Sequence, residues 1–142
     1  MSKKPLHKLT GDLMSTAIIS LRETDRASVA IREMALGAIR HLPVVDDKGR
    51  LAGIVSSTDL VVAITRADDP ELQSFMTRDV KTVRRDTPAE RAVEIMIEEK
   101  FNSIPVIGDA SELLGIITAT DFLVVAHQAL TGSPIERAKD EL

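Results

Sequence analysis

The 142-residue chain has no cysteine, tryptophan or tyrosine and only three phenylalanines. Without thiols it forms no disulfide, runs no cysteine nucleophile and builds no cysteine-ligated zinc site. With so few rings it lacks the stacking platforms that hold single-stranded nucleic acid. Its core must therefore come from Val, Ile, Leu, Met and Ala. The net charge of −4 does not suit a protein organised around the DNA phosphate backbone. No apolar run approaches the roughly 20 residues that span a bilayer, and the opening MSKKPLHKLTGD holds none that would serve as a signal peptide. The expectation is a cytoplasmic protein with neither nucleic acid nor membrane as partner.

Catalytic signatures are missing too. His7, His41 and His127 do not fall at H-E-x-x-H spacing, and no Walker loop, G-x-G-x-x-G or G-x-S-x-G occurs. Lone histidines in such places are ordinarily solvated or hydrogen-bonded side chains. Glu98-Glu99 and Asp68-Asp69 read as solvated faces and loops. Neither an active site nor a metal site is expected.

What is present is a repeat. Hydrophobic residues make up 44% and charged residues 28%, the balance of a soluble globular protein. Displaced by 62 residues, the sequence falls on itself without a gap: Met14 on Met76, Ala30 on Ala92, Met34 on Met96, Pro43 on Pro105, Gly53 on Gly115, and Thr58-Asp59 on Thr120-Asp121. Such a period fixes the organisation before any single element is read. Each unit opens with a β-branched stretch (AIISL; DVKTV) and a turn (RETDR; RRDTP). Thr87-Pro88 has the form of an N-cap followed by proline at the first helical position. A helix then carries Ala30, Ile31, Met34 and Ala35, or Ala92, Val93, Met96 and Ile97, at helical spacing. Two strands follow (HLPVV and LAGIV; SIPVI and LLGII), joined by turns at DDKG and GDAS. The phrases GIVSSTD and GIITATD lead into the last helix. The pattern is β-α-β-β-α twice, an α/β (α+β) fold, with unit 1 over residues 1–70, unit 2 over 71–130 and a polar tail at 131–142. One unit of this size buries little surface, so two packed sheet to sheet make the plausible module.

The repeated phrase supports two readings. Ser56, Thr58, Thr118 and Thr120 could donate to phosphate beside helix N–H groups. Asp59 and Asp121 could each accept both hydroxyls of a ribose, as the acidic residue of dinucleotide folds does. Equally, the hydroxyl and the acid could only cap a helix. Spacing does not separate site from cap.

With HLPVVDDKGRLAGIVSSTDL and SIPVIGDASELLGIITATDF, the chain resembles the CBS domain, over about residues 10 to 127. The resemblance implies a free-standing tandem pair, or Bateman module, packed about a pseudo-twofold axis with two clefts. It implies a regulatory role, with AMP, ADP or ATP as the expected ligand and no other cofactor. It places Asp25, Ala30, Ile39, Arg40, His41, Ile116, Thr118, Thr120 and Asp121 in a first cleft. It places Thr87, Ala92, Phe101, Asn102, Ser103, Ile54, Ser56, Thr58 and Asp59 in a second. The aspartates would hold ribose, the hydroxyls would reach phosphate, and the two alanines would leave room for adenine. Arg40-His41 against Asn102-Ser103 suggests a more phosphorylated ligand, or tighter binding of the same ligand, in the first cleft. Asp25, where the family often has the Thr seen at position 87, counts against this or serves as a cap. A homodimer and a protein target are expected. The alternatives are an S-adenosylmethionine or dinucleotide sensor, and an interaction scaffold with empty clefts.

Overall fold

The computed structural model describes residues 8–133; His7 and the tail beyond 133 lie outside them. In chain order the elements are a helical turn α1 (Thr10–Leu13), β1 (Leu21–Arg22), α2 (Ala27–Gly37), β2 (His41–Val45), β3 (Leu51–Ser56), α3 (Ser57–Arg66), a single 3-10 turn (Leu72–Ser74), α4 (Ala89–Glu99), β4 (Ser103–Ile107), β5 (Leu113–Thr118) and α5 (Ala119–Thr131). No helix among the described residues is long and apolar enough to cross a membrane.

The chain packs as two units. In the first-repeat unit, β1, β2 and β3 form a sheet in that order. β1 runs parallel to β2, with Leu21 opposite Val44, and β2–β3 is an antiparallel hairpin pairing His41 with Ser56 and Val44 with Gly53. The strands alternate by period two, so Leu42, Val44 and Val55 turn inward and are fully buried. α2 lays Ala27, Ala30 and Met34 against them, with Leu60 and Leu72 completing the core. In the second-repeat unit β4 pairs with β5, and Ala92, Ile95, Met96, Ile104, Val106 and Ile117 form the matching core.

The opening strands are shorter than the β-branched stretches suggest. Of AIISL only Leu21 lies in a strand, and of DVKTV only Val83 makes a bridge, to Val106. Each lies at the edge of its sheet, where only two residues or one meet a neighbouring strand. Thr87 is not the helix cap expected from Thr-Pro. Pro88 takes the N-cap position of α4, and Thr87 Oγ1 instead accepts the Arg84 N–H at 2.9 Å. Ile97, placed by its spacing on the packed face of α4, is 72% exposed.

The units also cut across the sequential boundary at 70/71. Residues 8–17 pack with the second repeat, and residues 67–81 with the first. The Ala89 N–H at the start of α4 donates to the Lys8 carbonyl, and the Ala27 N–H at the start of α2 donates to the Pro70 carbonyl, both at 2.9 Å. Ser15 exchanges backbone bonds with Ile116 at 2.8 and 2.9 Å, and Thr77 with Ile54 at 2.9 Å in both directions. These crossings depend on two glycines. A Cβ on Gly115 would stand 2.7 Å from the Ser15 carbonyl oxygen, and one on Gly53 would stand 2.6 Å from that of Thr77. The repeat therefore keeps Gly53 and Gly115 because a backbone passes over each of them.

Candidate functional site

In the first-repeat unit the hairpin brings the start of β2 beside the end of β3. His41 lies opposite Ser56, and the Ser57 N–H donates to the Arg40 carbonyl at 2.8 Å. Arg40, His41, Ser56 and the start of α3 thus share one end of this sheet. The second-repeat unit repeats the arrangement, with the Ala119 N–H donating to the Asn102 carbonyl at 2.9 Å. Backbone bonds thus hold each pre-strand pair against the hydroxyl–aspartate motif of its own repeat.

Each motif closes a reciprocal cap. The Ser56 N–H donates to Asp59 Oδ2 at 3.1 Å, and the Asp59 N–H donates back to Ser56 Oγ at 3.0 Å. In the other repeat the Thr118 N–H donates to Asp121 Oδ2 at 2.7 Å, while Thr118 Oγ1 donates to the same oxygen at 3.2 Å. This is the capping-box arrangement with aspartate at the third helical position. The capping role is therefore real. It does not consume the acids, because a carboxylate has about four acceptor sites. Asp59 is half-buried, Asp121 is 3% exposed, and Thr58 and Thr120 face solvent. Asp59 also borders a groove of about 440 Å³ between α3 and the returning segment 67–75, with Val62, Arg66 and Phe75 among its walls. Nothing in the sequence pattern pointed to this groove, because it depends on how residues 67–75 fold back.

The remaining candidates fall into three kinds. Asp25 and Thr87 sit in the turns before α2 and α4, where each accepts the backbone N–H three residues earlier. Ala30 and Ala92 are fully buried in the two cores. Ile39 and Phe101 end their helices through N–H bonds to the Met34 and Met96 carbonyls; Ile39 packs on the core and Phe101 is exposed. Ile54 and Ile116 are half-buried mid-strand residues bonded to Thr77 and Ser15, and Ser103 opens β4. No group of three metal-ligating side chains occurs among the described residues.

Two carboxyls away from these motifs lie below the ordinary aspartate range. Asp46, in the β2–β3 turn, accepts the Arg50 and Lys48 N–H groups and pairs with the Arg50 side chain. Asp69 accepts the N–H and hydroxyl of Ser28 in the first turn of α2.

A family model described as CBS domain matches residues 11–66 and again 72–127. A 17.7 kDa protein of Acidianus ambivalens is 30% identical over 131 residues, covering 89% of this chain and 80% of that one. A homoserine O-acetyltransferase of Methanococcoides burtonii is 34% identical over 115 residues, and the chain spans 23% of its length. Among solved structures, the CBS domain pair of protein MJ0100 in complex with 5′-methylthioadenosine and S-adenosyl-L-methionine is 27% identical, with a TM-score of 0.77, covering 87% of this chain and 99% of that one. CBSX2 of Arabidopsis thaliana in complex with AMP is 25% identical, with a TM-score of 0.79 and coverage of 87% and 98%. The cytosolic domain of the Mg²⁺ channel MgtE in complex with ATP is 31% identical, with a TM-score of 0.74, and covers 83% of this chain and 48% of that one.

Proposed function

Because the chain belongs to the CBS-domain family, its tandem units matching that family over residues 11–66 and 72–127, we propose that it senses an adenosine-containing ligand. AMP, ADP or ATP is the first expectation. The response passes to a partner or through a homodimer, and the chain itself performs no reaction. The observation that carries this reading is the doubled motif. Both repeats keep a hydroxyl and an aspartate at a helix start, tied by backbone bonds to an exposed pre-strand residue, Arg40 or Asn102. A helix start of this kind favours anionic oxygens through its N–H groups, and a carboxylate beside it supplies what a ribose diol requires. Solved relatives in complex with AMP, ATP, or methylthioadenosine and S-adenosylmethionine support the ligand class.

Residue roles follow those that the family resemblance implies. Within its own repeat, Asp59 acts with Ser56 and Thr58, and Asp121 acts with Thr118 and Thr120. Each aspartate both caps its helix and accepts ribose hydroxyls. Calorimetry with Asp59→Asn and Asp121→Asn separates these roles, because asparagine keeps one carbonyl oxygen for the capping N–H. Each variant is expected to lose about tenfold in affinity for its ligand, the weight of one charge-assisted hydrogen bond. Unchanged affinity in both would remove the ribose assignment.

A further inference from the structure

The groove of about 440 Å³ along α3 lies within one repeat, and main-chain bonds made elsewhere hold it open. Its second wall, the returning segment 67–75, hangs from the start of α2 and the turn before it. The Ala27 N–H donates to the Pro70 carbonyl, the Leu72 N–H to that of Asp25 and the Gln73 N–H to that of Glu23, all at 2.9 Å. The Asp69 carboxylate adds the Ser28 N–H and hydroxyl at 2.9 and 2.8 Å. Towards α3 the described residues show one main-chain bond from this segment, the Ala67 N–H to the Ala63 carbonyl at 3.1 Å. The segment therefore faces α3 across a gap. Asp59, Val62, Ala63 and Arg66, at helical spacing, line one side of it, and Pro70 and Phe75 the other.

Most of this lining is hydrocarbon, and one charge in it is unanswered. The Arg66 guanidinium has no ion pair or hydrogen bond among the described residues. Asp59 accepts the Ser56 N–H and lies about 10 Å of helix rise from Arg66. An arginine in the last turn of a helix is ordinarily explained by the helix dipole alone. The other repeat separates that explanation from a site, because its helix ends without the cation. At the offset of 62, Gln128 stands for Arg66, Val125 for Ala63 and Leu13 for Phe75. The cation, the small residue that leaves room beside it and the aromatic ring are thus peculiar to the first repeat and not part of the doubled scaffold.

We infer that this groove binds an apolar monocarboxylate. The planar guanidinium takes the carboxylate through paired N–H donors, and the hydrocarbon body releases water from Val62, Ala63 and Phe75. One cation matches one negative charge. A phosphate would bring more charge to a single guanidinium, with the Asp59 carboxylate bordering the same groove. Asp59 also orients the ligand, turning its acid towards Arg66 and limiting its body to about 10 Å. The volume falls in the range of small-ligand sites. The site draws on a single repeat and stands whether or not the doubled motif takes adenosine.

The test is calorimetric titration of the full chain with octanoate and phenylpropionate, with octanol and octylamine as the uncharged and cationic controls. Saturable binding of at least one acid is expected, about tenfold tighter than either control, the weight of one charge-assisted hydrogen bond. Arg66→Gln installs the residue of the counterpart helix and should weaken the acid about tenfold. Ala67→Leu keeps the charge and fills the groove that Ala67 helps to line, and it should weaken the acid by a similar factor. Both positions are exposed, so the fold is expected to tolerate either change. Absence of saturable binding for both acids, controls that bind as tightly as the acids, or an affinity unmoved by either variant overturns the site. Each of those results leaves the proposed adenosine sensing untouched, since none of these probes carries an adenosine.

Discussion

Gly53 and Gly115 show how a single residue can carry a topological requirement. Each lies under a carbonyl oxygen closer than any side chain tolerates, so a methyl group there must push a hydrogen-bonded backbone segment away. Gly115→Ala is expected to cost about 1–3 kcal/mol, the usual range for overpacking, read as a lower urea midpoint with the slope unchanged. Asp69 contributes in a different way. Its carboxyl lies below the ordinary range chiefly because it accepts the Ser28 N–H and then the Ser28 hydroxyl. A carboxyl lowered in the folded state contributes stability that is fully present above its unfolded value, near 3.9. That contribution is lost as pH falls through the lower folded value. Thermal midpoints should therefore fall below about pH 4. Asp69→Asn should lower the neutral-pH midpoint and flatten this acid limb. An acid limb as steep as wild type would show that another group controls it. Asp46, lowered first by the Arg50 N–H, acts in the same direction.

At the scale of elements, the order β-α-β-β-α was legible because strands and helices repeat at a fixed offset and bury alternate or helical positions as their period requires. The exchange of opening segments was not. It is carried by main-chain bonds from Lys8, Ser15, Pro70 and Thr77, which leave no mark in side-chain pattern beyond the two glycines that receive them. Thr87 was misread for a related reason. Thr-Pro has the form of a cap, yet the helix takes its first acceptor from Lys8, leaving the threonine to close the turn behind it. The doubled motif was legible as a position, and its two readings are compatible, since a carboxylate has about four acceptor sites and capping alone does not fill them. The exchange predicts that removing residues 1–17 destabilises the second repeat, because α4 loses its Lys8 acceptor and β5 its Ser15 bridge. Hydrogen exchange should show faster exchange at Ala89 and Ile116 than at their counterparts Ala27 and Ile54. Equal protection at both pairs would contradict this.

At the scale of the molecule, several helices leave large apolar residues uncovered: Val61, Val62 and Ile64 on α3, and Leu123 and Leu130 on α5. Scattered exposure of this kind is ordinary, whereas contiguous apolar patches are where proteins associate. We propose that the homodimer uses the α3 face, so that Val61→Asp is expected to shift the mass measured by light scattering from dimer toward monomer without lowering the thermal midpoint of the monomer. A dimer of unchanged stability would place the contact elsewhere. A sensor also requires two states, since a ligand acts only through a difference in affinity between them.

The proposed function has this pair of CBS units bind adenosine ligands through its doubled hydroxyl–aspartate motif. Calorimetric titration of the wild-type chain with AMP, ATP and S-adenosylmethionine, with GMP as control, tests it most directly. Saturable binding of at least one adenosine ligand is expected, with no comparable heat from GMP. Absence of saturable binding for every adenosine ligand, or equal binding of GMP, would contradict it.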